Sequence, residues 1–219
     1  MLDGVRLKLD TFPYRAYQPM PVLGLRGAAR ETATASRFEA MLSVIERTSV
    51  RDAVDVGCHY GWYVLQLAER GIATVGIEES APAYRSALLA VRRSRASNAG
   101  ILAMRVTPET ASLVPTADAM LLLSVWHHLV RNFGLEAATE ILETLWSRTR
   151  RVLFFETGEA EMGPEFRLPA FEPDAPTWLN GYLERTCEGS EVVHLGLHAA
   201  FDADARPCRR NLFAVVRAD

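Results

Sequence analysis

From about residue 52 to residue 156, short apolar runs alternate with longer segments whose apolar residues recur three and four positions apart. Short apolar runs predict buried strands, and the longer spacing predicts amphipathic helices. The predicted strands are 53–56, 74–77, 101–106, 119–125 and 152–156, and the predicted helices between them are 62–70, 82–95 and 135–146. Strands that alternate with helices of this length are typical of parallel sheets, since a parallel connection must cross over the sheet.

Both ends of the chain depart from this alternation. Residues 1–35 hold several prolines and glycines among scattered aromatic residues, which predicts an irregular arm with apolar anchors. A helix is predicted to follow, at about 32–48. After the last alternating strand, a helix at 177–187 precedes strand-like runs at 191–197 and 211–216. No helical pattern separates those two runs, so we expect them to pair antiparallel.

The pattern as a whole predicts a single α/β domain over residues 36–219. Its expected architecture is a Rossmann-like, doubly wound, seven-stranded sheet, mostly parallel with an antiparallel final strand and helices on both faces. A length of 219 residues suits one such domain. We expect the arm at 1–35 to lie over the ligand site.

Composition and charge exclude several classes of protein but do not indicate a function. A hydrophobic fraction of 49% and a charged fraction of 23% are ordinary for a globular protein, and a net charge of -3 gives no general attraction for nucleic acid. No apolar run is long enough to span a bilayer, and the first residues lack the layout of a signal peptide. The three cysteines are scattered, so we expect neither a disulfide framework nor a paired-cysteine zinc site, and a cytoplasmic setting.

The loop between the first strand and its helix carries the clearest chemical signal. It reads Asp55-Val56-Gly57-Cys58-His59-Tyr60-Gly61, and its two glycines let a ligand approach the backbone at a strand end. Glu78 ends the second strand 23 residues after Asp55, where it can accept hydrogen bonds from both hydroxyls of a ribose. Asp55 suits a ligand with an ammonium group and would repel a pyrophosphate. The missing third glycine also disfavours a dinucleotide.

This loop resembles the first motif of class I S-adenosylmethionine (SAM)-dependent methyltransferases, in the form D-x-G-C-x-x-G. The resemblance implies SAM as the cofactor, Glu78 as the ribose acid, and the 124–128 segment as the loop beside the methyl group. Its departures are His59, where glycine is common, and the lack of an aspartate near position 109. The residues that it assigns to the cofactor are Asp55, Gly57, Cys58, Gly61, Glu78, Glu109, Thr110, Ser124 and Trp126.

Within that superfamily, the chain is similar to the branch of tRNA wobble-uridine carboxymethyltransferases. Those enzymes carry a glycine-cysteine loop and a Tyr-His pair after the fourth strand, and this chain has Gly57-Cys58 and Trp126-His127. Their substrate is not transferred to this chain on so short a match.

Three residues are candidates for catalysis. His127 and His128 follow the fourth strand, and a neutral imidazole there could take a proton from a hydroxyl acceptor, with His127 the first choice. The alternative is that one histidine caps the next helix and the other packs. Glu156 ends the fifth strand and faces the expected pocket, unless it caps a helix or is solvated. No metal site is predicted, because His194 and His198 would lie about 13 Å apart along a strand.

The leading hypothesis is methyl transfer from SAM to an oxygen or nitrogen of a small-molecule acceptor, with rate gained mainly by positioning. One alternative is an RNA-modifying transferase, for which the arginine clusters at 92–95 and 148–151 are the candidate phosphate contacts. Another is a protein of this fold that binds SAM without catalysis. The sequence leaves the oligomeric state open.

Overall fold

The fold comes from a computed structural model that describes residues 18–25, 30–202 and 206–218. Within these residues, six α-helices surround seven strands. The helices are α1 (Arg30–Arg47), α2 (Trp62–Glu69), α3 (Ala81–Ser94), α4 (Trp126–Phe133), α5 (Leu135–Ser147) and α6 (Ala175–Thr186). The strands are β1 (Asp52–Val56), β2 (Ala73–Glu78), β3 (Ala99–Ala103), β4 (Ala117–Leu123), β5 (Thr149–Glu156), β6 (Ser190–Phe201) and β7 (Pro207–Arg217).

The strands form one sheet in the order β3-β2-β1-β4-β5-β7-β6. The first five strands pair in parallel, and β7 lies antiparallel between β5 and β6. The chain builds outward from β1 to β3 and then returns to place β4 on the other side of β1. The strand order therefore reverses between β1 and β4, which is where sheets of this type bind ligands.

Two hydrophobic layers cover the sheet because successive residues of a strand point to opposite faces. On β4, Met120 and Leu122 pack against α4, α5 and α6, while Ala119 and Leu121 pack on the side of α1 and α2. All seven residues of β4 are buried, as expected for a central strand covered on both sides. A smaller cluster between α2 and α3 includes Met20 from the N-terminal segment.

A charged cluster fixes the amino-terminal edge of the central strands. Arg150 at the start of β5 donates to Asp52 of β1 at 2.6 Å and to Asp118 of β4 at 2.8 Å. Asp118 also accepts the backbone N–H of Arg51 at 3.0 Å, and its own N–H donates to Asp52 at 2.6 Å. These bonds tie three strands together at the edge opposite to the carboxyl ends.

The structure confirms the predicted sheet, including the antiparallel closing pair, and corrects the segment after β4. Residues 124–128 were expected to form a loop, but α4 begins at Trp126 and holds both histidines in its first turn. Trp126, Leu129, Val130 and Phe133 have the spacing of one helical face, and Gly134 ends the helix. The third strand runs from Ala99 to Ala103, two residues earlier than predicted, because the apolar Val106 is buried outside the strand.

The predicted arm falls mostly outside the described residues. Within the part that is described, a short 3₁₀ helix at Pro21–Leu23 precedes α1. The proposed role of residues 1–35 as a cover, and the domain boundary at residue 36, stay predictions.

We predict that Gly76→Ala destabilises the sheet. A Cβ at Gly76 would lie 2.6 Å from the Cys58 Sγ and 2.8 Å from Val64 Cγ2, both in the packed layer beneath β2. Overpacking of this kind costs about 1–3 kcal/mol in the free energy of unfolding, which urea denaturation can measure. Gly100→Ala is the matched control, because Gly100 pairs with Val75 on the neighbouring strand. Among the described residues, no atom lies within 4 Å of its Cβ position. Equal stability of the two variants would contradict the prediction.

Candidate functional site

The loop after β1 is held against β2 and shaped by close contact with the segment after β4. The N–H groups of Gly57 and Cys58 both donate to the Ile77 carbonyl, at 2.8 and 3.0 Å. Gly57 has a φ of 73°, and a Cβ there would lie 2.6 Å from Val125 Cγ2. Only glycine therefore allows the β1 and β4 loops to approach this closely.

Glu78 braces the glycine loop from the end of β2. Its Oε2 accepts the His59 N–H at 2.8 Å and its Oε1 accepts the Ser80 N–H at 2.7 Å. Burial raises the pKa of this carboxyl, and the two backbone donors act in the opposite direction. A carboxylate has about four lone-pair sites, so Glu78 can accept further hydrogen bonds from a ligand.

Asp55 lies beneath the same loop, and one of its two carboxylate oxygens lacks a donor among the described residues. Its side chain is buried, and its Oδ2 has no hydrogen-bond partner among the described residues. Burial, and then the nearby charge of Glu78, raise the pKa of Asp55 to about 7. A buried carboxylate oxygen without a donor is costly, and a cationic ligand group at this position would satisfy it.

The N-terminal segment reaches this loop. The Gln18 Oε1 accepts the Tyr60 N–H at 3.2 Å, and Met20 is buried in the cluster that contains Cys58 and Tyr60. Part of the predicted arm therefore lies against the glycine loop.

Ser124 links the end of β4 to the end of β5. Its φ of 60° is in the left-handed region, which is unusual for a residue with a side chain. Its N–H donates to the Glu156 carbonyl at 2.9 Å and its hydroxyl donates to the Glu156 Oε1 at 2.5 Å. Arg210 of β7 donates to the same hydroxyl at 3.1 Å. These bonds hold Ser124 in a conformation that directs Val125 toward Gly57.

Glu156 is at the centre of a buried charge network. It is 0% exposed, Arg37 of α1 donates to its Oε2 at 2.7 Å, and the Arg210 guanidinium lies 3.9 Å from its Oε1. Burial would raise its pKa, but Arg37, Arg210 and the Ser124 hydroxyl outweigh burial and lower it. Arg210 is itself 5% exposed and donates to Glu161 at 2.7 Å. Because the chain's own donors occupy both Glu156 oxygens, this geometry suits a positioning role.

The two histidines lie under the segment that follows β5. The Gly158 N–H donates to the His127 Nδ1 at 2.8 Å. Phe166 has its ring centroid 5.5 Å from that of His127 and 5.6 Å from that of His128. Burial first, and then the neighbouring positive charges, hold the pKa of His127 well below its usual value. The same causes lower the pKa of His128 to about 4. Both rings are therefore neutral near pH 7.

The other predicted cofactor residues lie in different surroundings. Trp126 is 0% exposed, and its Nε1 donates to the Tyr182 hydroxyl at 3.1 Å, which places it in the core beneath the site. The Cys58 thiol is buried beneath β2, and Gly61 precedes the first turn of α2. Glu109 is exposed in the turn after β3, and the Thr110 hydroxyl donates to the Arg105 carbonyl at 2.6 Å in the same turn.

Sequence reasoning missed Arg37, Arg210 and Glu161, which come from three distant parts of the chain. One signal was present in the sequence: Arg210-Asn211 stands directly before the apolar run of β7. Charged and polar residues next to a buried apolar run require buried partners.

Across the described part of the chain, no group of three or more His, Cys, Asp or Glu residues is arranged to hold a metal ion. None of the helices described there has both the length and the apolar character needed to cross a membrane.

Comparison with known proteins identifies the fold. A scan against protein-family models gives no match, and neither does a search of curated proteins. Among solved structures, the chain is similar to the bifunctional kinase-methyltransferase WbdD, with a TM-score of 0.71 and 18% identity. That match covers 95% of this chain and 45% of WbdD, so the chain spans less than half of the length of that protein.

A second similar structure is magnesium protoporphyrin IX methyltransferase (ChlM) from Synechocystis PCC 6803 with bound SAM. It has a TM-score of 0.63 and 15% identity, over 98% of this chain and 95% of that one. EvdMO1 has a TM-score of 0.57 and 17% identity, over 89% of this chain and 42% of that one. These likenesses show that the chain has the class I methyltransferase fold.

We predict that Glu156→Gln lowers the free energy of unfolding by about 3 kcal/mol, since removing one partner leaves buried positive charge uncompensated. The pKa of Glu156 is lowered in the folded state. The stabilisation by its charge is therefore present above its unfolded pKa and lost as pH falls below about 4.5, the usual value for Glu. Denaturant titration at pH 7 and pH 4 should show the gap between the variant and the unmodified protein narrowing at pH 4.

The matched control is Glu79→Gln. Glu79 pairs with Arg105 at 3.1 Å, but both side chains are 55% exposed, so its loss should change stability by less than about 0.5 kcal/mol. A gap for Glu156→Gln that is as small as that of the control would mean that the network contributes little to stability.

Proposed function

We propose that this chain is a methyltransferase that binds SAM over the Asp55–Gly61 loop and methylates an oxygen or nitrogen of a small-molecule acceptor. The observation that supports this most strongly is the buried Asp55 Oδ2, which has no partner among the described residues and lies beneath a glycine loop at the strand-order reversal. The structure of ChlM, which has the same fold, contains bound SAM.

The residues of the loop fit the groups of SAM. Asp55 offers a carboxylate oxygen to the ammonium group, and Glu78 has lone pairs left for the ribose hydroxyls. The glycine at position 57 leaves space that a Cβ would fill, between the loop and Val125. We assign these three positions to SAM, with Gly61 beginning the helix behind them. When bound, SAM supplies a methyl group activated by a positively charged sulfur.

The residues after β4 and β5 then border the acceptor. Ser124 and Val125 are held beside the glycine loop, so the segment that they begin lies where the methyl group would be presented. His128 is half-buried, while His127 is almost completely buried behind it. We assign Glu156 to positioning, because it fixes Ser124 and Arg37 and is itself inaccessible. Catalysis then consists mainly of alignment of donor and acceptor.

No observation favours the RNA-modifying alternative. In the second arginine cluster, Arg148 donates to the Val114 carbonyl and Arg150 is bonded to Asp52 and Asp118. These arginines serve the amino-terminal edge of the sheet, opposite to the glycine loop. The structure neighbours described above also give no support to the tRNA wobble-uridine branch. Binding of SAM with no turnover of any acceptor would favour the third alternative, a binding protein of this fold.

We predict that Glu78→Ala weakens binding of S-adenosylhomocysteine by about 1–3 kcal/mol, because ribose hydroxyls then enter a buried site without an acceptor. Isothermal calorimetry measures this directly. Glu79→Ala is the control, since the adjacent Glu79 is exposed and bonded to Arg105. Unchanged affinity in Glu78→Ala would remove that residue from the cofactor site.

We also predict that cofactor binding is linked to ionisation of Asp55. With a pKa of about 7, this carboxyl is mostly protonated at pH 6 and mostly ionised at pH 7.5. Only the ionised form attracts an ammonium group, so affinity for S-adenosylhomocysteine should rise about five- to tenfold over that interval. Calorimetry in buffers of different ionisation enthalpy should also detect proton release near pH 6.5. Asp55→Asn should abolish both effects, and pH-independent affinity in the unmodified protein would contradict the assignment.

A further inference from the structure

We propose that the acceptor's reacting oxygen is already an anion when it enters the site, as in a carboxylate or a phosphate monoester. This inference rests on the proposed methyl transfer and names the class of acceptor. It comes from the hydrogen bonding of His127 and from the arginines that surround the two histidines.

His127 is fixed as a hydrogen-bond donor rather than a base. The Gly158 backbone N–H can only donate, and it donates to the His127 Nδ1 at 2.8 Å. The Nδ1 lone pair is therefore occupied, and the proton of the neutral ring lies on Nε2. His127 was the first choice for a general base from the sequence, but in this tautomer its remaining nitrogen offers a proton. Such a donor favours an acceptor group that carries negative charge.

Arg131 brings positive charge to the same place. It lies four residues after His127 and three after His128 on α4, so the three side chains share one face of the helix. The Arg131 guanidinium lies 4.9 Å from the centre of the Phe166 ring, and that ring contacts both histidines. The aromatic ring of Phe166 is therefore surrounded by a guanidinium and two neutral imidazoles.

Arg210 approaches from β7 on the side of Ser124. Its charge is partly balanced by Glu161 at 2.7 Å and by the buried Glu156 at 3.9 Å. Burial is the largest cause that lowers the pKa of both histidines. Arg131 and Arg210 lower both pKa values further, and His128 also lowers that of His127. Both histidines are therefore within electrostatic reach of two guanidinium groups. With a pKa of about 4, His128 is too weak a base to help a hydroxyl acceptor near pH 7.

An anionic acceptor needs no base. A lone pair of its oxygen forms the new bond to the methyl carbon as the carbon–sulfur bond breaks, and the electron pair of that bond stays on sulfur. One negative charge on the acceptor and the positive charge on sulfur disappear together, and no proton is released. A hydroxyl acceptor would have to lose a proton in the same step, and neither histidine is suited to take it.

The test uses the full chain loaded with S-adenosylhomocysteine. Benzoate and phenyl phosphate are the anionic probes, and benzamide is the neutral match for benzoate. Calorimetry should show at least one anion binding tenfold or more tightly than benzamide. A preference for benzoate indicates a carboxylate acceptor, and a preference for phenyl phosphate indicates a phosphate ester.

Variants and spectroscopy locate the binding. Arg131→Gln should reduce the preference for the anion at least fivefold, whereas Arg93→Gln, on the exposed end of α3, should leave it unchanged. NMR of the histidine rings should show the anion raising the pH at which His128 titrates, because a nearby negative charge stabilises the imidazolium.

Two failures are distinguishable. If S-adenosylhomocysteine binds but neither anion binds better than benzamide, the inference is wrong and the proposed methyl transfer stands. The inference is equally wrong if the anions bind but Arg131→Gln leaves their preference intact. If S-adenosylhomocysteine itself does not bind, the proposed function is overturned, and the inference falls with it.

Discussion

The close approach of the β1 and β4 loops is the constraint on which the rest of the site depends. Because β1 and β4 are neighbours, their loops leave the same edge of the sheet and feed helices on opposite faces, α2 on one and α4 on the other. The two loops come so close that Gly57 of one contacts Val125 of the other. Any side chain at position 57 would push the two loops apart, and with them the elements to which we assign the cofactor and the acceptor.

Two buried carboxylates at this edge of the sheet differ in their hydrogen-bond donors and in the direction of their pKa shifts. Glu156 receives donors from Arg37 of α1 and from Ser124, just after β4, with the Arg210 guanidinium of β7 nearby. Its pKa is lowered, so it stays ionised and holds these parts of the chain together. Asp55, two strand positions away in the sheet order, has an oxygen with no donor among the described residues and a raised pKa. The first carboxylate is fully used by the fold, whereas the second is the one that we propose a ligand's cationic group completes.

The sequence predicted what is encoded locally. Asp55, Gly57 and Glu78 belong to consecutive elements, so their spacing alone placed them at one edge of the sheet. Arg37 and Arg210 could not be found in that way, because only the antiparallel insertion of β7 and the packing of α1 bring them to Glu156. The tautomer of His127 was equally hidden, since it depends on the backbone of Gly158, 31 residues later. Helix α4 was encoded in the spacing of its apolar residues, which are Trp126, Leu129, Val130 and Phe133. The two polar histidines in its first turn favoured the prediction of a loop instead.

The position of β7 also governs the order in which the protein can fold during synthesis. This strand is made after β6, yet it lies between β5 and β6 and is the second neighbour of β5. Until residues 207–217 have left the ribosome, β5 has an open apolar edge and Glu156 lacks the charge of Arg210. The parallel half of the sheet can form early from contacts between nearby segments, but the surroundings of Glu156 must wait for a contact with Arg210, 54 residues away along the chain. An exposed strand edge at that stage is a site for wrong pairing, so this half of the domain is the part most exposed to aggregation while the chain is incomplete.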